Sequence, residues 1–146
     1  MNVVPPVGPS GKVSIVLVED NRLLREGLAA LVNRERDLEV VGAFGSLDPF
    51  LDRLPEIAPQ IVLVDAVLAG RSSLTVVSAI RRRYAAAKLI VMDLFPAQVD
   101  LLALISAGAS GFLLEDATYE ELLDTVREVA AGHSVLPQTL MASLFS

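Results

Sequence analysis

Cysteine is absent from this 146-residue chain, which excludes disulfides and thiolate metal sites and points to the cytoplasm. A single histidine, His133, argues against a histidine-rich metal centre and against a histidine-dependent catalytic triad. No apolar run approaches the ~18 residues of a membrane span, and no basic start with a cleavage-like site marks a secretory signal. Positive charge is scarce. Twelve Lys and Arg face eighteen Asp and Glu, a net charge of −6, which argues against nucleic acid binding by this chain itself. Only two lysines occur, Lys12 and Lys88. The one basic run, Arg81 to Arg83, reads as a solvated helix end.

What remains is rich in apolar residues, at 53% of the chain. The mean hydropathy of +0.54 is high for a soluble monomer and suggests a face that meets a partner. The length suits one domain with a real core. Residues 1–11, MNVVPPVGPSG, hold three prolines and two glycines and are expected to form a disordered leader. Apolar, β-branched runs then recur near 13–18, 38–44, 60–64, 89–92 and 111–114. Segments of helical period lie between them, near 21–34, 47–54, 73–84, 97–107 and 118–131. Gly108 and Gly132 fall where helix C-caps belong, and Asp48–Pro49 and Asp116–Ala117–Thr118 offer helix starts. Five strand–helix units predict a parallel sheet with helices on both faces. Ligand sites in that architecture lie beyond the carboxyl ends of the strands.

Those ends carry acids. IVLV at 15–18 runs into Glu19 and Asp20, and the same four residues at 61–64 run into Asp65. LIVM at 89–92 is followed by Asp93, and FLL at 112–114 by Glu115 and Asp116. The exception, LEVVGAFG, fits the rim of the sheet. Four strands delivering carboxylates to one edge make a crevice suited to a hard cation or a shared proton.

The motifs IVLVEDN, IVLVDA and SAGASGFLLEDA, with a final amphipathic helix, resemble a bacterial response-regulator receiver domain over residues 12–133. The stretch from Ala109 to Phe145 is similar to the subgroup with a C-terminal helix-turn-helix DNA-binding domain, so 134–146 reads as a linker or helical start toward such a domain. The resemblance implies a flavodoxin-like (βα)5 fold in strand order 2-1-3-4-5. It implies that Asp65 is the phosphoacceptor for a histidine kinase, and that Glu19, Asp20, Asp65 and the backbone carbonyl of Val67 hold Mg²⁺. It also makes Phe112 the aromatic residue that turns inward or outward on activation.

Two positions depart from that pattern. Where the resemblance calls for Thr or Ser after the fourth strand, this chain has Asp93, and where it calls for Lys after the fifth, it has Glu115. The turn after Asp65 reads AVLAGRSS, in which only Gly70 matches the usual Met-Pro-Gly. Both lysines belong to the opposite edge of the sheet, leaving Arg22 and Arg71 as candidates to compensate. Unit charges 4–6 Å apart interact by roughly 3–4 kcal/mol at an effective dielectric of ~20. Exchanging a lysine for a glutamate should therefore disfavour a stable aspartyl phosphate. An atypical receiver follows, weakly phosphorylated or independent of phosphate.

The fourth predicted helix, AQVDLLALISAG, spreads Val99, Leu101, Leu102, Leu104 and Ile105 over about 220° of arc, wider than one packed face needs. An exposed strip pairing with a second copy is expected, through the face of the fourth helix, fifth strand and fifth helix. The alternatives are a small Mg²⁺-dependent phosphotransfer enzyme, against which stands the lack of a Gly-rich phosphate loop, and a stand-alone adaptor or small-ligand sensor.

Overall fold

Valine and isoleucine pack well on a pleated surface covered on both sides, and each such run becomes a strand. The computed structural model describes residues 11–68 and 70–144, so residues 1–10 of the predicted leader lie outside the described residues. The strands β1 (Val13–Val18), β2 (Leu38–Phe44), β3 (Ile61–Asp65), β4 (Lys88–Leu94) and β5 (Ala109–Leu114) form one parallel sheet. Their order is β2-β1-β3-β4-β5, the flavodoxin-like doubly wound arrangement. Helices α1 (Arg22–Val32), α2 (Leu47–Ile57), α3 (Ser73–Arg83), α4 (Leu101–Ser106) and α5 (Tyr119–Ala130) make the crossovers and the final layer, and α6 (Gln138–Ser143) follows.

Alternation along the strands divides the core in two. Val16, Val18, Val62, Val64 and Val91 pack with the layer of α2, α3 and α4. Ile15, Leu17, Ile61, Leu63 and Ile90 pack with α1 and α5. Four helices start on side-chain caps that satisfy otherwise orphaned amides. Asn21, Ser72, Asp100 and Thr118 accept from Leu24, Thr75, Ala103 and Glu121 at 3.0, 3.2, 3.1 and 3.1 Å. Such caps stabilise by about 1 kcal/mol each.

Two helices differ from the periodicity. Helix α2 continues through Pro55 to Ile57, because a proline this near the end removes one backbone bond, and Ala58 closes the helix in a left-handed turn at φ 48°. The fourth helix is shorter than predicted. Pro96–Gln98 form a 3-10 turn, and Asp100 caps a fresh start at Leu101. The late start sets the phase of α4 and corrects the proposed partner strip. Leu101 and Leu104 are 4% and 1% exposed and belong to the core, while Leu102 and Ile105, at 63% and 41%, face outward. Val99 lies before the helix and packs partly against the core. The wide apolar arc was thus a core face and a solvent face added together.

Arg81 also departs from the solvated-end reading. Its guanidinium donates to the carbonyls of Gly108, at 2.7 Å, and of Ala85, tying α3 to the entry of β5. Arg82 and Arg83 remain exposed. Beyond α5, Val135 pairs with Gly111 at the free edge of β5, its amide donating to Ser110 at 2.8 Å. Leu140 of α6 is completely buried in the α2–α3–α4 core. Among the described residues no helix is long and apolar enough to cross a membrane.

Candidate functional site

Parallel strands in register bring their last residues to one line. Val18 stands beside Val64 and Asp65 beside Met92, so the residues that follow share the carboxyl edge of the sheet. One carboxylate oxygen from each of Glu19, Asp20 and Asp65 lies within 4.8 Å of the others. Glu19 and Asp65 are 2% and 5% exposed, whereas Asp20 is open to solvent.

The local backbone fixes these groups. Glu19 Oε1 accepts from the Asn21 amide at 3.2 Å, and Asp65 Oδ1 accepts from the Val67 amide at 3.0 Å. Arg25, one turn into α1, donates to the Glu19 carbonyl at 2.7 Å. Sequence reasoning missed that contact, since the acceptor is a main-chain carbonyl and not the carboxylate. Glu19 Oε2 is shielded from solvent and receives no hydrogen bond. Burial first, then hydrogen bonding and repulsion from Asp65, push the Glu19 carboxyl up to about 8, against the opposing pull of the Asn21 amide.

Asp93 occupies an irregularity where β4 slips against β5, at φ 63°. Aspartate tolerates that left-handed conformation better than a β-branched residue does. Its carboxyl is raised by partial burial and then by the charges of Asp65 and Glu115. Glu115 is exposed, its amide held by the Leu94 carbonyl at 2.9 Å. Glu19, Asp20, Asp65, Asp93 and Glu115 thus form one electrostatic group.

The two arginines that could compensate are engaged elsewhere. Arg22 pairs with Glu26 at 2.9 Å and Arg71 with Asp48 at 3.7 Å. Among the described residues no ion pair joins a cation to Glu19, Asp65, Asp93 or Glu115. Phe112 is 2% exposed and packs in the core beneath α4. The residues of the proposed pairing strip, Val99 to Ile105, belong to α4 and the turn before it, not to this cluster.

The donor set suits a hard divalent cation. Three carboxylates converge on one point, and a buried oxygen has no donor to satisfy it. A doubly wound sheet in order 2-1-3-4-5 places its ligand crevice at the switch point between the first and third strands, where these acids gather. Residues 15–127 match the response regulator receiver domain, and the chain belongs to that family. It is a receiver domain of the kind found in two-component regulators of the NarL and LuxR type. The nitrate/nitrite response regulator protein NarP of Escherichia coli (strain K12) is 32% identical over 124 residues, 85% of this chain and 58% of that protein. The DNA-binding transcriptional activator DevR/DosR of Mycobacterium tuberculosis is 28% identical over 134 residues, 92% of this chain and 62% of that protein. A LuxR-family two-component response regulator from Aurantimonas sp. SI85-9A1 shares the fold, with a TM-score of 0.81 at 24% identity, over 92% of this chain and 96% of that one. The chain spans about three-fifths of the length of the curated relatives it matches.

Proposed function

We propose that this chain is the signal-input domain of a transcription regulator whose acidic pocket holds a proton or a divalent cation in preference to a stable phosphoryl group. The observation that carries the reading is the acid pair Asp93 and Glu115 beside Asp65, with no ion pair to any of the three among the described residues. Asp65, buried at the end of β3, is the residue proposed as phosphoacceptor. A phosphoryl group on it meets like charge from both neighbours. At separations of 4–6 Å and an effective dielectric of ~20, each full charge costs roughly 3–4 kcal/mol, less for the solvated Glu115.

Glu19, Asp20 and Asp65, with the backbone carbonyl of Val67, are the groups proposed to hold Mg²⁺. When bound, the ion would offset part of the negative charge that repels a phosphoryl donor. The chain's own contribution is to hold Glu19 and Asp65 rigidly, through the Asn21 and Val67 amides.

The domain acts as a relay, not a catalyst. A histidine kinase is the phosphoryl donor, and a weak one. DNA is met through a separate helix-turn-helix domain of the whole regulator, in keeping with relatives named as transcriptional activators. Output passes through a homodimer formed by α4, β5 and α5, with Leu102 and Ile105 as the outward apolar residues of α4.

Incubation with acetyl phosphate and Mg²⁺, read by intact mass, tests the reading. Wild type should show little lasting phosphorylation at Asp65, and Glu115→Lys should raise its level at least tenfold. Stable, stoichiometric phosphorylation of the wild-type chain would overturn it.

A further inference from the structure

Beyond α5 the chain returns to the sheet. Residues 134–144, SVLPQTLMASL, contain no charged side chain. The Val135 amide donates to the Ser110 carbonyl at 2.8 Å along the free edge of β5, and Pro137 then turns the chain into α6. Helix α6 packs on the 3-10 turn Pro96–Gln98. There Leu140 is buried in the same core as Leu94, Leu104 and Phe112, with Leu136 and Leu144 packed against that core.

This strap is built to detach. Its helix has six residues and no side-chain cap at its start, too short to persist away from the surface beneath it. A groove of about 420 Å³, lined by Phe112, Thr125, Val135 and Gln138, leaves the seat open along the side toward α5. A segment held mainly by Leu140 opens far more often than the sheet it rests on.

The seat is also tied to the acidic crevice through a short run of backbone. Asp93, one of the acid group, adopts φ 63° where β4 slips against β5. Leu94 follows, buried in the core that receives Leu140, and its carbonyl accepts from the Glu115 amide at 2.9 Å. Pro96 then begins the turn on which α6 rests. A change in the course of the chain at Asp93 therefore moves the floor beneath Leu140.

We propose that residues 134–144 form a latch, docked while Asp93 keeps its left-handed turn and released when that turn changes, which carries the state of the crevice to the C-terminal segment. The inference rests on the reading above in taking the acidic crevice as the input. Coupling of this kind is reciprocal, so a change at either end is felt at the other.

Amide hydrogen exchange and NMR of the 146-residue chain test it. In wild type the Val135 amide should exchange at least tenfold faster than those of Val16 and Val62 in the central strands, because the strap opens without the sheet. Leu140→Ala should speed Val135 a further tenfold, leave Val16 unchanged and shift the amide resonances of Leu94 and Glu115. Asp93→Val and Asp93→Gly both remove the charge, but only the β-branched side chain resists φ 63°. Asp93→Val should speed Val135 at least fivefold, and Asp93→Gly should leave it within twofold of wild type. Equal exchange at Val135 and Val16 in wild type, an undisturbed Glu115 in Leu140→Ala, or equal effects of the two Asp93 variants would each overturn the proposal. Acetyl phosphate labelling reports separately on Asp65, so the two readings fail by different measurements.

Discussion

Stability should fall as pH rises from about 4.5 to about 8, because Glu19 titrates near 8 in the fold and near 4.5 in an unfolded chain. Between those values the folded protein holds a proton that the unfolded protein has released. The contribution is complete below the lower value and is lost as pH climbs through the upper one. The full span corresponds to at most about 5 kcal/mol, comparable to the whole stability of many domains. Asp93, raised from 3.8, adds a change of the same sign at the acid end of the window. Asp37, lowered from 3.8 by its bond to Arg127, acts with the opposite sign but only below that value. Urea unfolding followed by circular dichroism at unit steps from pH 5 to 9 measures the slope. Glu19→Gln should flatten most of it and should be the more stable protein at pH 9. Magnesium should stabilise wild type most at high pH, where Glu19 ionises, by ~3 kcal/mol at a hundredfold excess over its dissociation constant. A Glu19→Gln profile as steep as wild type, or a wild-type stability that rises across the window, would refute the account of Glu19.

Four further outcomes follow from named contacts. Leu104→Ala should cost about 2–5 kcal/mol in urea unfolding, because this core side chain leaves a cavity. Leu102→Asp with Ile105→Asp should leave the melting temperature nearly unchanged while converting dimer to monomer in light scattering; a persisting dimer removes α4 from the interface. Asp93→Thr should destabilise by about 1–2 kcal/mol, since a β-branched residue resists φ 63°, so restoring the hydroxyl alone should not restore a phosphate site. Arg127→Ala removes the paired bonds to Asp37, at 2.9 and 3.0 Å, and the bond to Glu35 at 3.1 Å. That loss should amount to about 1 kcal/mol in low salt and shrink as salt is added.

The sheet was legible because its signal is redundant: IVLV, repeated at 15–18 and 61–64, specifies burial on both faces at every residue. The gathering of Glu19, Asp20 and Asp65 followed from strand direction alone, since parallel strands send their carboxyl ends to the same edge. Helix α4 was legible in composition but not in phase. Its arc of leucines fits several rotations about the axis, and the choice among them depends on Asp100 capping a new start after the Pro96 turn. Arg25 escaped notice because its partner is a backbone carbonyl, which leaves no complementary charge in the sequence. The seat of Leu140 was invisible for a related reason, since six residues of helix show too little periodicity to announce a buried face.

The acids at the sheet edge differ in what they do to the fold. Glu19 and Asp65 are buried and held by backbone amides, so their charge is expensive and their geometry fixed. Asp93 and Glu115 are exposed, and the fold asks little of them beyond the left-handed turn at Asp93. The buried pair therefore sets the cost of ionising the pocket, while the exposed pair sets its sign toward an incoming ligand. Replacing only the exposed pair should change which ions and ligands enter while leaving the part of the pH dependence that Glu19 carries, and replacing Glu19 should remove that part. An acid cluster that was merely solvated loop surface would show neither separation, because every member would then titrate and screen alike.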